Sequence, residues 1–268
     1  MIQPGAAPRQ LRGIPFRALV PNAVTVLALC VGLTGARFAF AERWDLAIIC
    51  ITIAAILDAL DGRIARLLKA QTRFGAELDS LSDVIAFGVA PALIIYLWSL
   101  QYLPRLGWIV ALAHAVCAAL RLARFNAAID AQDKPHKSAG FLTGVPAPAG
   151  AGLLLLPVYL WLWLGEGAAF GPAPIALWAA MVALLMISNV ATFGWGSIRL
   201  RTSQRLVALL IVGLVGAALL SEPWATLSIA AMLYALSIPL SILSFAKVRR
   251  LRSMRGEPER PRDGDESR

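Results

Sequence analysis

Charged residues are scarce in this chain. Only 15% of its 268 residues are charged, 59% are hydrophobic, and the mean hydropathy is +0.70. A soluble domain of this length could bury a core, but it would carry more charge. The composition therefore argues against a soluble protein and predicts an integral membrane protein.

Cysteine is also scarce, and Cys30, Cys50 and Cys117 all fall inside apolar segments. Their spacing is neither that of disulfide pairs nor that of metal ligands, so we expect them to be small core residues. The two histidines are no more informative, because His114 lies inside an apolar segment and His136 lies in a polar loop. The sequence shows no internal repeat and no soluble domain.

Long uncharged runs dominate the chain instead. Five are near or above the ~18–20 residues that cross a bilayer as a helix, and three shorter runs can cross if their charged ends belong to the helix. The long runs are 19–36, 84–104, 138–165, 167–198 and 223–246, and the shorter runs are 46–57, 106–120 and 206–221. We expect an all-α integral membrane protein with about eight transmembrane helices in one domain, 1–246. The basic, polar tail, 247–268, is expected to be disordered beyond its first few residues.

The basic residues predict the orientation of these spans. They gather before the first span, in every second connection and after the last span, whereas the alternate connections hold only Arg37, Arg43 and Arg105. The positive-inside rule then places both termini on the cytoplasmic side. The net charge of +9 is therefore attributed to topology and to anionic lipid head groups rather than to a nucleic-acid partner.

Four aspartates stand at the ends of two apolar segments. Asp58 and Asp61 are three residues apart and Asp79 and Asp83 are four apart, so each pair shares one helix face. The two predicted helices are antiparallel, so their acidic ends should meet near the cytoplasmic boundary. Unpaired negative charge is costly there, and hard oxygen ligands select Mg²⁺, Mn²⁺ or Ca²⁺. We expect the four carboxylates to hold two divalent cations around a phosphoryl centre.

Small and basic residues are set among these acids. Gly62 would let a bulky group lie against the helix backbone, Ala65 would keep the next turn shallow, and Arg66 could hold a phosphate by its planar fork. Gly75 would permit a close approach or an unusual dihedral angle before the third span. The alternative is that the glycines serve helix packing and that Arg63 and Arg66 form ion pairs with the acids.

The pattern D-x2-D-G-x2-A-R-x8-G-x3-D-x3-D, from Asp58 to Asp83, resembles the signature of the CDP-alcohol phosphatidyltransferases, with all eight fixed positions filled. The resemblance implies a membrane-helix bundle that transfers a phosphatidyl group from a CDP-linked lipid to a hydroxyl and releases CMP. It also implies a homodimer. By the same resemblance Asp58, Asp61 and Asp79 bind metal, Asp83 binds metal and acts as the general base, and Gly62, Ala65, Arg66 and Gly75 line the CDP pocket.

The first span opens with a segment that resembles the one preceding the signature in the same family. It reads Pro21-Asn22-Ala23-Val24-Thr25, with Asn22 and Thr25 three residues apart at the cytoplasmic end. These two side chains could contact the nucleotide. An ordinary helix start, with proline and asparagine near its cap, explains the segment equally well.

Two further stretches, 121–126 and 141–150, resemble membrane-embedded phosphatidylserine synthases of bacteria and archaea. This resemblance implies serine as the acceptor, which brings a carboxylate and an ammonium group to the site. Arg121 and Arg124, three residues apart at a helix end, could bind the carboxylate, and Asn126 could orient one of them.

The connection that follows offers weaker candidates. Lys134 and Lys137 could also meet the carboxylate, or they could simply face lipid head groups as topology determinants. Pro146 and Pro148 are expected to prevent a regular helix start and to shape the mouth of the pocket.

Taken with the resemblance, the residues predict a Mg²⁺- or Mn²⁺-dependent enzyme of a prokaryotic plasma membrane that transfers phosphatidyl from CDP-diacylglycerol to L-serine. One alternative is a relative that uses glycerol phosphate, inositol phosphate, choline or a second lipid as acceptor. An alternative of another class is an ion-coupled transporter, which would spread its acids through the membrane depth and break its helices.

Overall fold

The computed structural model describes residues 16–130, 141–165, 171–188, 191–193 and 202–254. Helices dominate these residues, so the expected all-α class is confirmed. The helices are α1 (Phe16–Phe40), α2 (Trp44–Leu67), α3 (Arg73–Asp83), a π-helical segment (Val84–Val89), α4 (Ala90–Trp98), a 3-10 turn (Leu100–Tyr102), α5 (Leu106–Asp130), α6 (Ala147–Leu154), α7 (Leu156–Leu164), α8 (Pro172–Ile187), α9 (Thr202–Ser221) and α10 (Pro223–Met254).

Helix α2 shows how the apolar pattern forms the bundle. Ala47, Ile48, Ile51 and Ala54 recur at helical spacing and are buried, so they form one face. Apolar side chains on the opposite face, such as Ile53, remain exposed. This apolar outer surface suits a lipid environment, in which exposing an aliphatic side chain costs no free energy.

Each of the eight predicted spans corresponds to a helix or to a group of consecutive helices. Among the described residues, four helices are long and apolar enough to cross a membrane, and the pair α6 and α7, bent by 43°, makes a fifth if it counts as one span. Helices α8 and α9 contribute shorter apolar segments, and the last turns of α2 are charged. The chain is an integral membrane protein, but the count of eight stays a prediction.

Helix α1 is the central support of the site. It packs along α2 and also contacts α3, the π segment and α4. The approach is close because small residues meet there, and a Cβ added to Gly32 would lie 2.9 Å from the Cβ of Ala86 in the π segment. Small residues let membrane helices approach closely where no hydrophobic drive between helices exists.

The π-helical segment lies directly after Asp83 and interrupts the span between α3 and α4. Widened helical turns leave backbone groups without their usual partners, and they recur near functional sites. Here the carbonyl of Phe87 lies 3.4 Å from Nε2 of His114, a fully buried residue of α5. His114 is therefore a packed polar residue that joins α5 to the π segment.

A short strand pair joins two connections of the bundle. Strand β1 (Phe141–Thr143) pairs antiparallel with β2 (Ala191–Phe193), with Phe141 opposite Phe193. No residue pattern predicted this pairing, because three-residue strands have too little alternation to detect. The pair ties the connection before α6 to the one after α8.

One local expectation fails, and the domain boundary stays a prediction. The expectation that Pro146 and Pro148 prevent a regular helix start is wrong, since α6 begins at Ala147 with Pro146 as its N-cap. Proline is tolerated in the first turn because its missing N–H has no intrahelical acceptor there. Helix α10 continues through Met254, past the predicted domain boundary at 246, and residues 255–268 lie outside the described part of the chain.

A larger side chain at the contact between α1 and the π segment should destabilise the helix bundle. We expect Gly32→Val to lower the free energy of unfolding by about 1–3 kcal/mol, because the added atoms meet Ala86 at once. The measurement is thermal unfolding of the purified protein in detergent. Gly213→Val is the matched control, since a Cβ at Gly213 has no other atom within 4 Å. Equal melting temperatures for the two variants would contradict the packing account.

Candidate functional site

The four aspartates lie in the last turns of α2 and in the second half of α3. Asp58 and Asp61 occupy the last turns of α2, roughly 21–26 Å along the helix from Trp44 at 1.5 Å per residue. Asp79 and Asp83 lie in the second half of α3, which runs back in the opposite direction after a short turn. The antiparallel arrangement therefore brings both acidic pairs to one depth, as the spacing predicts.

Three of these carboxylates form a tight group. Asp58, Asp61 and Asp79 each offer one oxygen, and the three oxygens lie within 4.8 Å of one another. Asp83 stands beside this group, within hydrogen-bonding reach of Asp58 and close enough to the charges of Asp61 and Asp79 to be repelled by them. The chain thus gathers four formal negative charges in one small volume.

No basic side chain in the described part of the chain forms an ion pair with these aspartates. None of the four aspartates lies within the 4.0 Å that defines an ion pair with Lys or Arg. Arg63 is exposed, and Arg66 turns its Nε to the carbonyl of Gly62 at 2.9 Å. The alternative in which Arg63 and Arg66 pair with the acids is therefore not what the structure contains.

The residues present fit divalent cations. Oxygen atoms of three carboxylates at this separation can converge on an ion, and Mg²⁺ and Mn²⁺ prefer such ligands. Four like charges in a half-buried setting repel one another strongly without a counter-charge. The aspartate cluster can hold a metal ion, and both its chemistry and its lack of basic partners favour one.

Thr25 fixes the most buried of the four acids. Asp61 is 4% exposed, and the hydroxyl of Thr25, itself 5% exposed, reaches its Oδ2 at 2.5 Å. The same hydroxyl lies 3.1 Å from the carbonyl of Pro21. Thr25 therefore orients Asp61 from behind, and the nucleotide contact expected for Thr25 stays a prediction.

Helix α3 meets α1 near both of its ends. Ser82 donates its hydroxyl to the carbonyl of Thr25 at 3.2 Å. Thr72 caps α3 by accepting the N–H of Gly75 at 3.0 Å. A Cβ on Gly75 would lie 2.9 Å from Oδ1 of Asn22, so glycine permits this close approach. Asn22 thereby lies beside the first turn of α3.

The surface above Gly62 is open. Gly62 is exposed, and a Cβ at this position would have no other atom within 4 Å. Ala65, half-buried, and Arg66, exposed, follow on the next turn of α2. This side of α2 can therefore receive a bulky group, although no structural contact tests the nucleotide role expected for these residues.

The three residues expected to bind the acceptor have different surroundings. Arg121 is half-buried and lies near enough to Asp83 for their charges to attract. Arg124 is exposed and donates from Nη1 to the carbonyl of Ile187 at 3.2 Å. Asn126 donates to the hydroxyl of Ser80 at 2.9 Å, so it joins α5 to α3. Lys134 and Lys137 lie outside the described residues.

Sequence reasoning missed several polar residues that support the cluster. Ser82 and Thr72 orient α3, and Tyr234 of α10 reaches the neighbourhood of Arg121. Ser82 lies between Asp79 and Asp83, so its place in the pattern was a usable signal. Tyr234 is separated from the signature by about 150 residues, and a single tyrosine in an apolar run gives no signal of its own.

Comparisons with known proteins agree with this geometry. The family model "CDP-alcohol phosphatidyltransferase" matches residues 18–195, and the model "CDP-alcohol phosphatidyltransferase 2" matches residues 204–239. Relatives from Mycobacterium tuberculosis and Mycobacterium leprae are each 37% identical over 88% of this chain, covering 82% and 78% of the relatives' lengths. A relative from Methanocaldococcus jannaschii is 47% identical over 28% of this chain and 36% of its own length. All three relatives are named CDP-diacylglycerol–serine O-phosphatidyltransferase.

Removal of one clustered acid should abolish cation binding. We expect purified protein to bind Mn²⁺, as measured by electron paramagnetic resonance of the free ion, and Asp61→Asn to lose that binding because a charged ligand is gone. Asp45→Asn is the matched control, since Asp45 lies at the other end of α2 and pairs with Arg43. Undiminished Mn²⁺ binding by Asp61→Asn would refute the cation site.

Loss of the hydroxyl behind Asp61 should weaken the site without removing a ligand. We expect Thr25→Val to reduce Mn²⁺ affinity about 10- to 100-fold, because partners that orient ligands commonly have this effect. Thr34→Val is the control on the same helix, where the hydroxyl bonds the carbonyl of Cys30. If the two variants bind Mn²⁺ equally well, Thr25 does not orient Asp61.

Proposed function

The chain belongs to the CDP-alcohol phosphatidyltransferase family, and we propose that it is a CDP-diacylglycerol–serine O-phosphatidyltransferase. It transfers the phosphatidyl group of CDP-diacylglycerol to the hydroxyl of L-serine and releases CMP. The convergence of Asp58, Asp61 and Asp79, with oxygens within 4.8 Å and Asp83 adjoining, is the observation that carries the proposal. The relatives' shared name supports serine as the acceptor.

The four aspartates hold the cations that this chemistry needs. Two Mg²⁺ or Mn²⁺ ions held by Asp58, Asp61, Asp79 and Asp83 would neutralise the diphosphate and the charge that grows on the departing CMP. Thr25 supports this arrangement by fixing the carboxylate of Asp61. Asp61 is also the most buried of the four, so its position depends least on solvent.

Asp83 acts as the general base. It takes the proton of the serine hydroxyl as that oxygen bonds to the phosphorus bearing the lipid and the bond from this phosphorus to the CMP oxygen breaks. Asp83 suits this role because it stands at the margin of the tight group of three carboxylates rather than within it. Asp83 also lies near the charge of Arg121 on α5.

The nucleotide lies over the exposed side of α2. The open surface at Gly62 and the shallow step at Ala65 leave room for it, and the exposed guanidinium of Arg66 can bind a phosphate oxygen. The family resemblance adds Gly75 and Asn22, which lie side by side on α3 and α1. These assignments extend the family resemblance onto matching positions of this chain.

The enzyme works in the plasma membrane of a prokaryote, with the site and both termini on the cytoplasmic side. The distribution of basic residues supports this orientation. The acyl chains of CDP-diacylglycerol then stay among the apolar helix faces while the nucleotide meets water. We also propose a homodimer, which the family resemblance supports.

The collection of the acids at one depth favours a transferase over an ion-coupled transporter. A transporter would place acidic groups along a path through the bundle. Here all four lie at the junction of α2 and α3, with Gly62 and Arg66 beside them. Among transferases, the choice between serine and other alcohols depends on the acceptor site.

The test is an acceptor panel with purified protein. CDP-diacylglycerol, Mn²⁺ or Mg²⁺ and one labelled acceptor are supplied, and the lipid product and CMP are both quantified. We expect phosphatidylserine and CMP in equal amounts with serine, and no comparable product with glycerol phosphate, inositol phosphate or choline. Absence of both products with serine, or a faster reaction with another acceptor, would overturn the assignment.

Asp83→Asn should stop turnover while leaving the fold intact. We expect kcat to fall by about 10²- to 10⁴-fold, the usual contribution of a positioned base, or by more because a cation ligand is altered as well. The control is Glu77→Gln, an exposed acid on the same helix. Thermal unfolding should match the wild type for both variants. A near-normal kcat for Asp83→Asn would remove the base assignment.

A further inference from the structure

Four buried polar atoms lack a hydrogen-bond partner among the residues that the structure describes. They are Nδ1 of His114, Nε of Arg121, Oγ of Ser228 and Oη of Tyr234. A buried donor left without an acceptor costs free energy, so each such group calls for an explanation. His114 already contacts Phe87 through its other ring nitrogen. Of the remaining three residues, Arg121 and Tyr234 lie near each other, so they are the pair of most interest.

Arg121 and Tyr234 belong to different helices but to one location. Arg121 lies on α5 and Tyr234 on α10, and the two side chains are close enough to interact electrostatically. Arg121 is also close to Asp83, the proposed base. Neither Nε of Arg121 nor the hydroxyl of Tyr234 is satisfied by the other, although both are buried. Two neighbouring donors therefore have no acceptor among the described residues.

The chemistry of the two donors selects an anion. A guanidinium N–H and a phenolic O–H both donate, and charge-assisted bonds from such groups to a carboxylate are strong. In the proposed reaction the diphosphate is held on the α2 side of Asp83, by cations and Arg66. The carboxylate of serine is the other anion, and a short carbon chain separates it from the hydroxyl that Asp83 must reach.

We propose that Tyr234, together with Arg121, binds the carboxylate of the acceptor and so selects an amino acid over other alcohols. This inference rests on the proposed function and extends it to a residue outside the family signature. Anchoring the carboxylate between α5 and α10 directs the hydroxyl toward Asp83. An acceptor without a carboxylate leaves both donors unpaired, which discriminates against it.

The test is the kinetics of Tyr234→Phe, which removes one hydroxyl and keeps the ring. We expect the KM for serine to rise about 10- to 100-fold, the loss expected for a hydrogen bond to a charged group. The KM for CDP-diacylglycerol should stay unchanged. The inhibition constant of L-alanine, which keeps the carboxylate, should rise by a similar factor, and that of ethanolamine, which lacks it, should not change.

The controls separate a binding role from a structural one. Tyr96→Phe removes a phenolic hydroxyl from α4, where the ring packs against Trp108 at 5.2 Å, and should leave every constant unchanged. The melting temperature of Tyr234→Phe should not fall, because the lost hydroxyl has no hydrogen-bond partner among the described residues. Arg121→Lys keeps the charge but loses the planar fork, and it should show the same selective rise for serine and alanine.

The outcomes distinguish this inference from the function on which it rests. A wild-type protein that makes no phosphatidylserine refutes the proposed function itself. An active wild type with an unchanged KM for serine in Tyr234→Phe refutes only the carboxylate-binding role. Equal changes for alanine and ethanolamine, or a lowered melting temperature that accompanies the kinetic loss, would also overturn that role.

Discussion

The central constraint on this structure is that the chain holds four carboxylates together although they repel one another. They lie where two membrane helices meet. Three of them offer oxygens within 4.8 Å of one another, and no basic side chain among the described residues pairs with any of the four. Such a cluster costs free energy unless a counter-charge arrives from outside the chain. Folding therefore prepares a site for divalent cations, and a phosphoryl-transfer reaction is the chemistry that uses them.

The rest of the fold holds these charges in place. Helix α1 lies close to α2 and to the π segment because Gly32 and Ala86 present little bulk. From that position the hydroxyl of Thr25 on α1 bonds Asp61. The backbone carbonyl of Thr25 accepts a hydrogen bond from Ser82 of α3. Helix α5 approaches from the other side with Arg121. The cluster is thus fixed by backbone and hydroxyl contacts, which leaves the carboxylate oxygens available for cations.

The sequence could predict the acidic site because its information is local. Helical spacing puts Asp58 with Asp61 and Asp79 with Asp83, and a short turn between two apolar segments makes the helices antiparallel. The same reasoning could not assign Thr25, whose bond to Asp61 crosses 36 residues. It could not find Tyr234 either, since a lone tyrosine in an apolar helix looks like any packed aromatic residue.

The helix start between Pro146 and Pro148 was misjudged because the tolerance of the first turn for proline outweighs its effect as a helix breaker. Long-range polar contacts between helices require the fold itself.

Anomalous diffraction from crystals of the protein grown with Mn²⁺ tests the central claim most directly. The account predicts anomalous density between the ends of α2 and α3, within about 2.0–2.6 Å of carboxylate oxygens of Asp58, Asp61 and Asp79, with Asp83 adjoining. Saturating Mn²⁺ without such density, or carboxylates directed away from one another, would contradict it.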